Sequence, residues 1–153
     1  MSAPTLERAD AAALPEVVAL MRRAFDPRFG EAWTIGQAAG VMAMPGAALV
    51  LARHRRRLLG FALSRTLVGE CELMLLAVDP EARRLGTGRR LVDRVVADAR
   101  AEGAERIFLE MRRGNPAAAL YQAVGFACVG TRPQYYRGNM GETFDAATYS
   151  FIL

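Results

Sequence analysis

Apolar and polar positions follow two periods along this chain, and the places where one gives way to the other delimit its elements. Thr5-Leu-Glu-Arg-Ala9 alternates with period two and predicts a short strand. Asp10 stands where a helix cap belongs, and helical spacing then runs to about Phe25 with Pro15 in the first turns. A loop from Phe25 to Trp33 carries Pro27 and Gly30, and Thr34 caps a second helix, Ile35 to about Met44, stopped by Pro45-Gly46. Two apolar runs, Ala47 to Ala52 and Leu58 to Leu63, flank a charged tip and predict paired strands. Glu70 to Val78 reads as a buried central strand, and Gly88 to about Ala101 repeats Leu91, Val92, Val95, Val96 and Ala99 at helical spacing before Gly103. A strand Arg106 to Met111, a helix from Pro116 to about Val124, and strands near Phe126–Arg132 and Thr148–Leu153 complete the reading.

Hairpins mixed with a helical crossover predict a mixed α/β sheet with helices on both faces. Nothing marks a linker, repeat or low-complexity tract, so residues 1–153 are expected to form a single domain. No apolar run reaches the ~18 residues that span a bilayer, and the N-terminus lacks a signal-peptide layout, which predicts a cytoplasmic protein without membrane contact.

Charge narrows the ligand more than the fold. A net charge of +4 favours acidic ligands such as a coenzyme with several phosphates, and is compatible with nucleic-acid or ribosome contact. All 20 basic residues are arginines, and the single His54 with two distant cysteines, Cys71 and Cys128, predicts no metal centre and two buried thiols. The densest cluster, Arg53-His54-Arg55-Arg56-Arg57, reads as a solvated hairpin tip, with a docking patch for an acidic partner as the alternative.

The segment with the most chemistry lies where the central strand hands over to the long helix, in Ala77-Val-Asp-Pro-Glu-Ala-Arg-Arg-Leu-Gly-Thr-Gly-Arg-Arg-Leu91. Glycines there let backbone N–H groups approach an anion, the helix N-terminus adds partial positive charge, and Arg83, Arg84, Arg89 and Arg90 add full charges. The pattern is neither a P-loop, lacking its Lys-Ser/Thr, nor G-x-G-x-x-G. Arg83-x-x-Gly86-x-Gly88 after Ala-Val-Asp-Pro resembles the acetyl-coenzyme A motif of the GCN5-related N-acetyltransferases (GNAT).

A second stretch, Asn115 followed by Pro116 to Phe126 with Leu120-Tyr121 and Gly125-Phe126, resembles that family's other signature, one residue shorter than usual between Asn and Leu-Tyr. The resemblance covers essentially the whole chain. It implies a twisted, mostly antiparallel sheet with a central splay, and acetyl-coenzyme A as cosubstrate without a metal. It also implies that Leu76, Ala77 and Val78 bind the pantetheine arm, that Arg83, Arg84, Leu85, Gly86, Thr87, Gly88 and Arg89 wrap the pyrophosphate, and that Asn115 contributes to the cofactor site.

The implied reaction needs a neutral amine to attack a thioester and a proton for the departing thiolate. By resemblance Tyr121 is the acid, with packing of its helix on the sheet as the alternative. Candidates for the base are Glu110, Glu70 and Glu72. Glu110 shares a strand face with Phe108, opposite Leu109 and Met111, so it is expected either to be desolvated into a base or to pair with an arginine.

Glu110-Met-Arg-Arg-Gly-Asn115, Trp33-Thr34, Arg132-Pro-Gln-Tyr-Tyr136 and Asp145-Ala146 are similar to the RimI-type ribosomal-protein-alanine N-acetyltransferases, with residues 137–144 as a less similar insert. That resemblance implies acetylation of a protein N-terminal alanine, with Glu110 as base, a ribosomal protein as partner and no direct nucleic-acid readout. Tyr135 and Tyr136 either line the peptide entrance or pack in the last hairpin. The alternatives are a small-molecule amine or amino-acid acetyltransferase, and a non-catalytic coenzyme A-binding sensor.

Overall fold

Three antiparallel pairings build the first half of the sheet. Strand β1 (Thr5–Ala9) pairs with β2 (Ala47–His54), β2 with β3 (Arg57–Leu67), and β3 with β4 (Glu70–Val78). Strand β5 (Arg106–Arg112) runs parallel to β4, while β7 (Thr143–Ile152) pairs antiparallel with both β5 and β6 (Ala127–Arg137). The order is therefore β1-β2-β3-β4-β5-β7-β6, mixed and mostly antiparallel. The computed structural model describes residues 3–83 and 85–153, so Arg84 lies outside the described residues.

Two cores sandwich the sheet, one on each face. Helices α1 (Leu14–Ala24) and α2 (Ile35–Met42) cover one face, where Leu20, Met21 and Ala38 meet Leu49, Leu51, Phe61 and Leu63. Helices α3 (Thr87–Ala101) and α4 (Ala118–Val124) cover the other, where Leu91, Val92 and Val95 meet Val50, Ala52, Ala62 and Ile107. The apolar stripe of α3 is buried as its spacing requires, and its opposite face carries the i,i+4 pairs Arg89–Asp93 and Arg94–Asp98.

The middle of the sheet is where the fold becomes functional. Pairing of β4 with β5 covers only Glu70, Cys71 and Glu72 against Arg106, Ile107 and Phe108, and beyond that the strands part. At the same point the β3–β4 register shifts, with Leu63 opposite Leu75 and Ser64 opposite Leu73, which leaves Met74 as an extra residue. A bulge of this kind bends a strand and turns its side chains over. Cys71 and Leu73 accordingly pack into the α3–α4 core, whereas Leu75 and Ala77, of the same parity, pack under α1 and α2.

Several expectations shift. The first helix opens with a separate 3-10 turn at Ala11–Ala13, with Asp10 accepting from the Ala12 N–H; α2 ends at Met42 and α4 starts at Ala118. Cys71 is buried as expected, but Cys128 is exposed because β6 is an edge strand whose side chains face solvent. The Arg53–Arg57 tip is only partly solvated. Arg53 is tied to Glu7 and Glu16, and Arg57 pairs with Glu81, so Arg55 and Arg56 alone form the turn, both with positive φ. No helix among the described residues is long and apolar enough to cross a membrane.

Candidate active site

The parting of β4 from β5 opens a cleft of about 690 Å³ that extends from the start of α3 to the loop between α1 and α2. Leu76, Ala77 and Val78 line it. Their β3-facing edge is paired to Ala62, Phe61 and Gly60, while no residue of β5 pairs with the other edge beyond Glu72. Buried backbone groups need partners, so an extended amide-bearing ligand laid along this edge would stand in for a strand.

One end of the cleft is built as an anion cradle. Asp79 is 5% exposed; its carboxylate accepts from the Glu81 N–H at 3.0 Å and from Arg23 at 3.2 Å, with Arg57 at 3.6 Å. The Glu81 N–H, assisted by Arg23, holds this carboxyl below the usual range. These contacts fix the 3-10 turn Pro80–Ala82 that leads into α3. Gly86 precedes α3 at φ +78°, and among the described residues no side chain caps the helix, so its first N–H groups lack a side-chain partner at the edge of the cleft. A Cβ at Gly86 would meet no atom of the described residues within 4 Å. Arg83, Gly86, Thr87, Gly88 and Arg89 all line the cleft, and the buried Thr87 hydroxyl has no hydrogen-bond partner among the described residues. Arg83 also donates to the Ala24 carbonyl at 2.9 Å, and Arg89 pairs with Asp93. Leu85 is 47% exposed beside the cradle. These features fit a diphosphate followed by an amide-rich arm.

The sequence-derived acid and base candidates fall differently. Tyr121 is buried, lines the cleft and packs edge-on against Phe126 at 5.6 Å; burial pushes its phenol pKa up, which keeps it protonated. Glu110 also lines the cleft, but Arg132 sits 3.2 Å from its carboxylate, so of the two expectations for Glu110 the arginine pair is the one present. Glu70 lies at the paired end of β4, exposed and bound to Arg106 at 2.8 Å, outside the cleft. Glu72 is half-buried and raised in pKa, first by burial and then by Glu110, and it does not line the cleft either. Asn115 does line it. Its carbonyl accepts from the Ala117 N–H at 2.9 Å and its amide donates to Glu31 at 3.4 Å, so it shapes the turn before α4 as well as the cleft wall.

Sequence reading missed Glu31, at the other end of the cleft. Glu31, in the α1–α2 loop, faces Arg112 of β5 at 3.6 Å, and burial raises its pKa against the lowering effect of that arginine. Arg112 stacks on Phe29 at 3.6 Å from the ring centroid. Tyr136 lines this end while Tyr135 stays half-exposed, and the Tyr136 phenol is pushed up by burial and by Glu31. A loop carboxylate has no periodicity to betray it, although Trp33-Thr34, Asn115 and Tyr136 around it carried a signal.

The sheet thus opens in its middle beside the uncapped start of α3. The chain belongs to the acetyltransferase (GNAT) family, the class of acetyl-coenzyme A dependent N-acetyltransferases, and the family match spans residues 14–126. The N-alpha-acetyltransferase RimI of Mycobacterium tuberculosis is 38% identical over 137 residues, covering 86% of this chain and 82% of that one. The ribosomal protein bS18-alanine N-acetyltransferase of Salmonella typhimurium is 36% identical over 81 residues, 52% of this chain and 55% of that one, so this match spans about half the length of that relative. The crystal structure of the ribosomal-protein-S18-alanine N-acetyltransferase from Escherichia coli superposes with a TM-score of 0.86 at 26% identity, covering 97% of this chain and 93% of that one.

Proposed function

We propose that this protein transfers an acetyl group from acetyl-coenzyme A to a protein N-terminal α-amine, an N-terminal alanine of a ribosomal protein being the preferred acceptor. The observation that carries this reading is one cleft with a pyrophosphate-type cradle at one end, unpaired β4 backbone along it, and Tyr121 and Glu110 further in. The similarity to the RimI-type relatives supports the choice of acceptor.

In this reading Gly86, Thr87, Gly88 and Arg89, with Arg83 and Leu85, hold the diphosphate, and Leu76, Ala77 and Val78 hydrogen-bond the arm, with Asn115 closing the wall. These contacts fix the thioester where Tyr121 can act. Glu110, directly or through water, takes a proton from the acceptor ammonium. The neutral amine attacks the thioester carbonyl, the tetrahedral adduct loses its extra nitrogen proton to solvent and collapses with cleavage of the carbon–sulfur bond, and Tyr121 gives its proton to the leaving thiolate; solvent then reprotonates Tyr121 and takes the proton from Glu110. Burial keeps the Tyr121 phenol protonated, while making it a weaker acid toward the thiolate than an exposed tyrosine. An α-amine, with a pKa near 8, needs roughly 3 kcal/mol less to reach its neutral form at pH 7 than a lysine amine near 10.4, which suits a carboxylate base.

The test compares acetylation of peptides beginning with Ala, Ser and Met, of internal lysines, and of a panel of small amines. The reading expects the Ala-starting peptide to have the highest kcat/KM and Glu110→Gln to cost about a hundredfold in turnover. Faster transfer to lysines or small amines rejects the acceptor.

A further inference from the structure

The α1–α2 loop is locked to the turn between β6 and β7 by close backbone contact. A Cβ on Gly30 would collide with the Arg137 carbonyl, and one on Gly138 with the Arg28 carbonyl. Phe29 meets Phe144 edge-on at 5.1 Å, and the Arg112 guanidinium stacks on the other side of Phe29. Glu31, directly after Gly30, is therefore held on the wall of the cleft by a fixed frame.

Its carboxylate is poorly satisfied for its burial. The side chain is 14% exposed, yet the two donors that face it are distant, Arg112 Nε at 3.6 Å from one oxygen and Asn115 Nδ2 at 3.4 Å from the other, with Tyr136 and Asp26 also nearby. Arg112 Nε is itself buried without a hydrogen-bond partner. A carboxylate accepts about four hydrogen bonds, and short charge-assisted ones are much the strongest. Of the other carboxylates lining the cleft, Glu110 is already engaged by Arg132 at 3.2 Å and Asp26 accepts the Arg28 N–H at 2.9 Å.

We infer that Glu31 is the receptor for the acceptor's α-ammonium, holding the charged amine between the α1–α2 loop and β5 before Glu110 takes its proton. The inference rests on the N-terminal acceptor reading and adds a specificity-determining residue to it. An ammonium supplies three compact donors, enough to give Glu31 the short contacts that Arg112 and Asn115 do not. An N-acetylated product is neutral and loses this attraction, so the same group favours release after transfer.

Two peptides test it, an Ala-starting peptide and its des-amino analogue, in which a propionyl group replaces the alanyl residue. Binding to the wild type is expected to favour the free amine about tenfold, and Glu31→Gln to remove that preference. In turnover, Glu31→Gln is expected to raise the peptide KM about tenfold while the acetyl-coenzyme A KM stays within about twofold. Glu31→Asp keeps the charge at shorter reach and should fall between the two. An unchanged peptide KM in Glu31→Gln, an equal rise in both KM values, or a free-amine preference that survives the substitution overturns the inference. Should Glu31→Gln fail to fold, Glu31→Asp with a wild-type peptide KM does the same. A wild type that turns over no N-terminal peptide overturns the acceptor reading itself.

Discussion

Arg132 and Glu110 meet at 3.2 Å although β7 lies between their strands in the sheet. Arg132 is opposite Ala146 and Glu110 opposite Thr148, so the guanidinium spans β7 two residues along to reach the carboxylate. Its side chain is 60% exposed, which makes the pair solvent-screened and exchangeable. An exposed pair of this kind contributes little to stability, so Arg132→Gln should cost less than about 1 kcal/mol. Urea denaturation of both proteins checks this, and a larger loss would show that solvent does not screen the pair.

Gly86 and Gly103 make a matched pair for testing the cradle. Both have positive φ and, among the described residues, no atom within 4 Å of where a Cβ would stand, but Gly103 follows the far end of α3. Alanine at either site should cost about 1 kcal/mol of stability through backbone strain. Only Gly86→Ala is expected to weaken coenzyme A binding, by about tenfold, or 1.4 kcal/mol. Calorimetry showing equal affinities for the two variants would remove Gly86 from the binding site.

Tyr121→Phe keeps the edge-on ring contact with Phe126 and removes only the hydroxyl. Turnover at saturating coenzyme should drop by about a hundredfold while coenzyme affinity stays within about twofold. Unaltered turnover would leave Tyr121 as a packing residue of α4.

Asp79 gives a pH signature to stability. Its carboxyl is held below the ordinary value by the Glu81 N–H and Arg23. A depressed folded pKa means that its contribution is complete above the unfolded value, near 4, and is lost as pH falls through the folded one. Asp79→Asn should lower stability at pH 7 by about 1–2 kcal/mol and flatten its decline below pH 4. Urea midpoints across pH 2–7 measure both. Parallel curves for the two proteins would show that Asp79 is not a stabilising titrating group.

Elements with a clean period were legible in the sequence. The buried stripe of α3, the Thr34 cap with its Gln37 partner, and the hairpin from Ala47 onward are local in origin, and the structure keeps them. The bulge at Met74 was invisible, because Leu73-Met-Leu-Leu-Ala-Val78 is apolar throughout and gives no phase by which an extra residue could be noticed. Strand β6 extends to Arg137 and β7 starts at Thr143, well beyond the predicted strands, because β6 is an exposed edge with no buried face to set a pattern. Pro133 and Gln134, the latter at φ +56°, look like a loop but form a bulge, pinned where Asp145 accepts the Gln134 N–H at 3.0 Å. Glu31 owes its position to backbone contacts between segments more than a hundred residues apart, Gly30 with Arg137 and Gly138 with Arg28, which no local window contains.

The opening between β4 and β5 also carries a liability. Past Glu72 and Phe108 the two strands present edges unpaired with each other in the interior of the sheet, flanked by Leu73, Leu76 and Leu109. Unpaired apolar edges are templates for adventitious pairing with other chains. A substrate that fills the opening with its own amides protects those edges and, by mass action, draws the population toward the intact fold. An occupant of the opening would thereby link the stability of the fold to its own concentration.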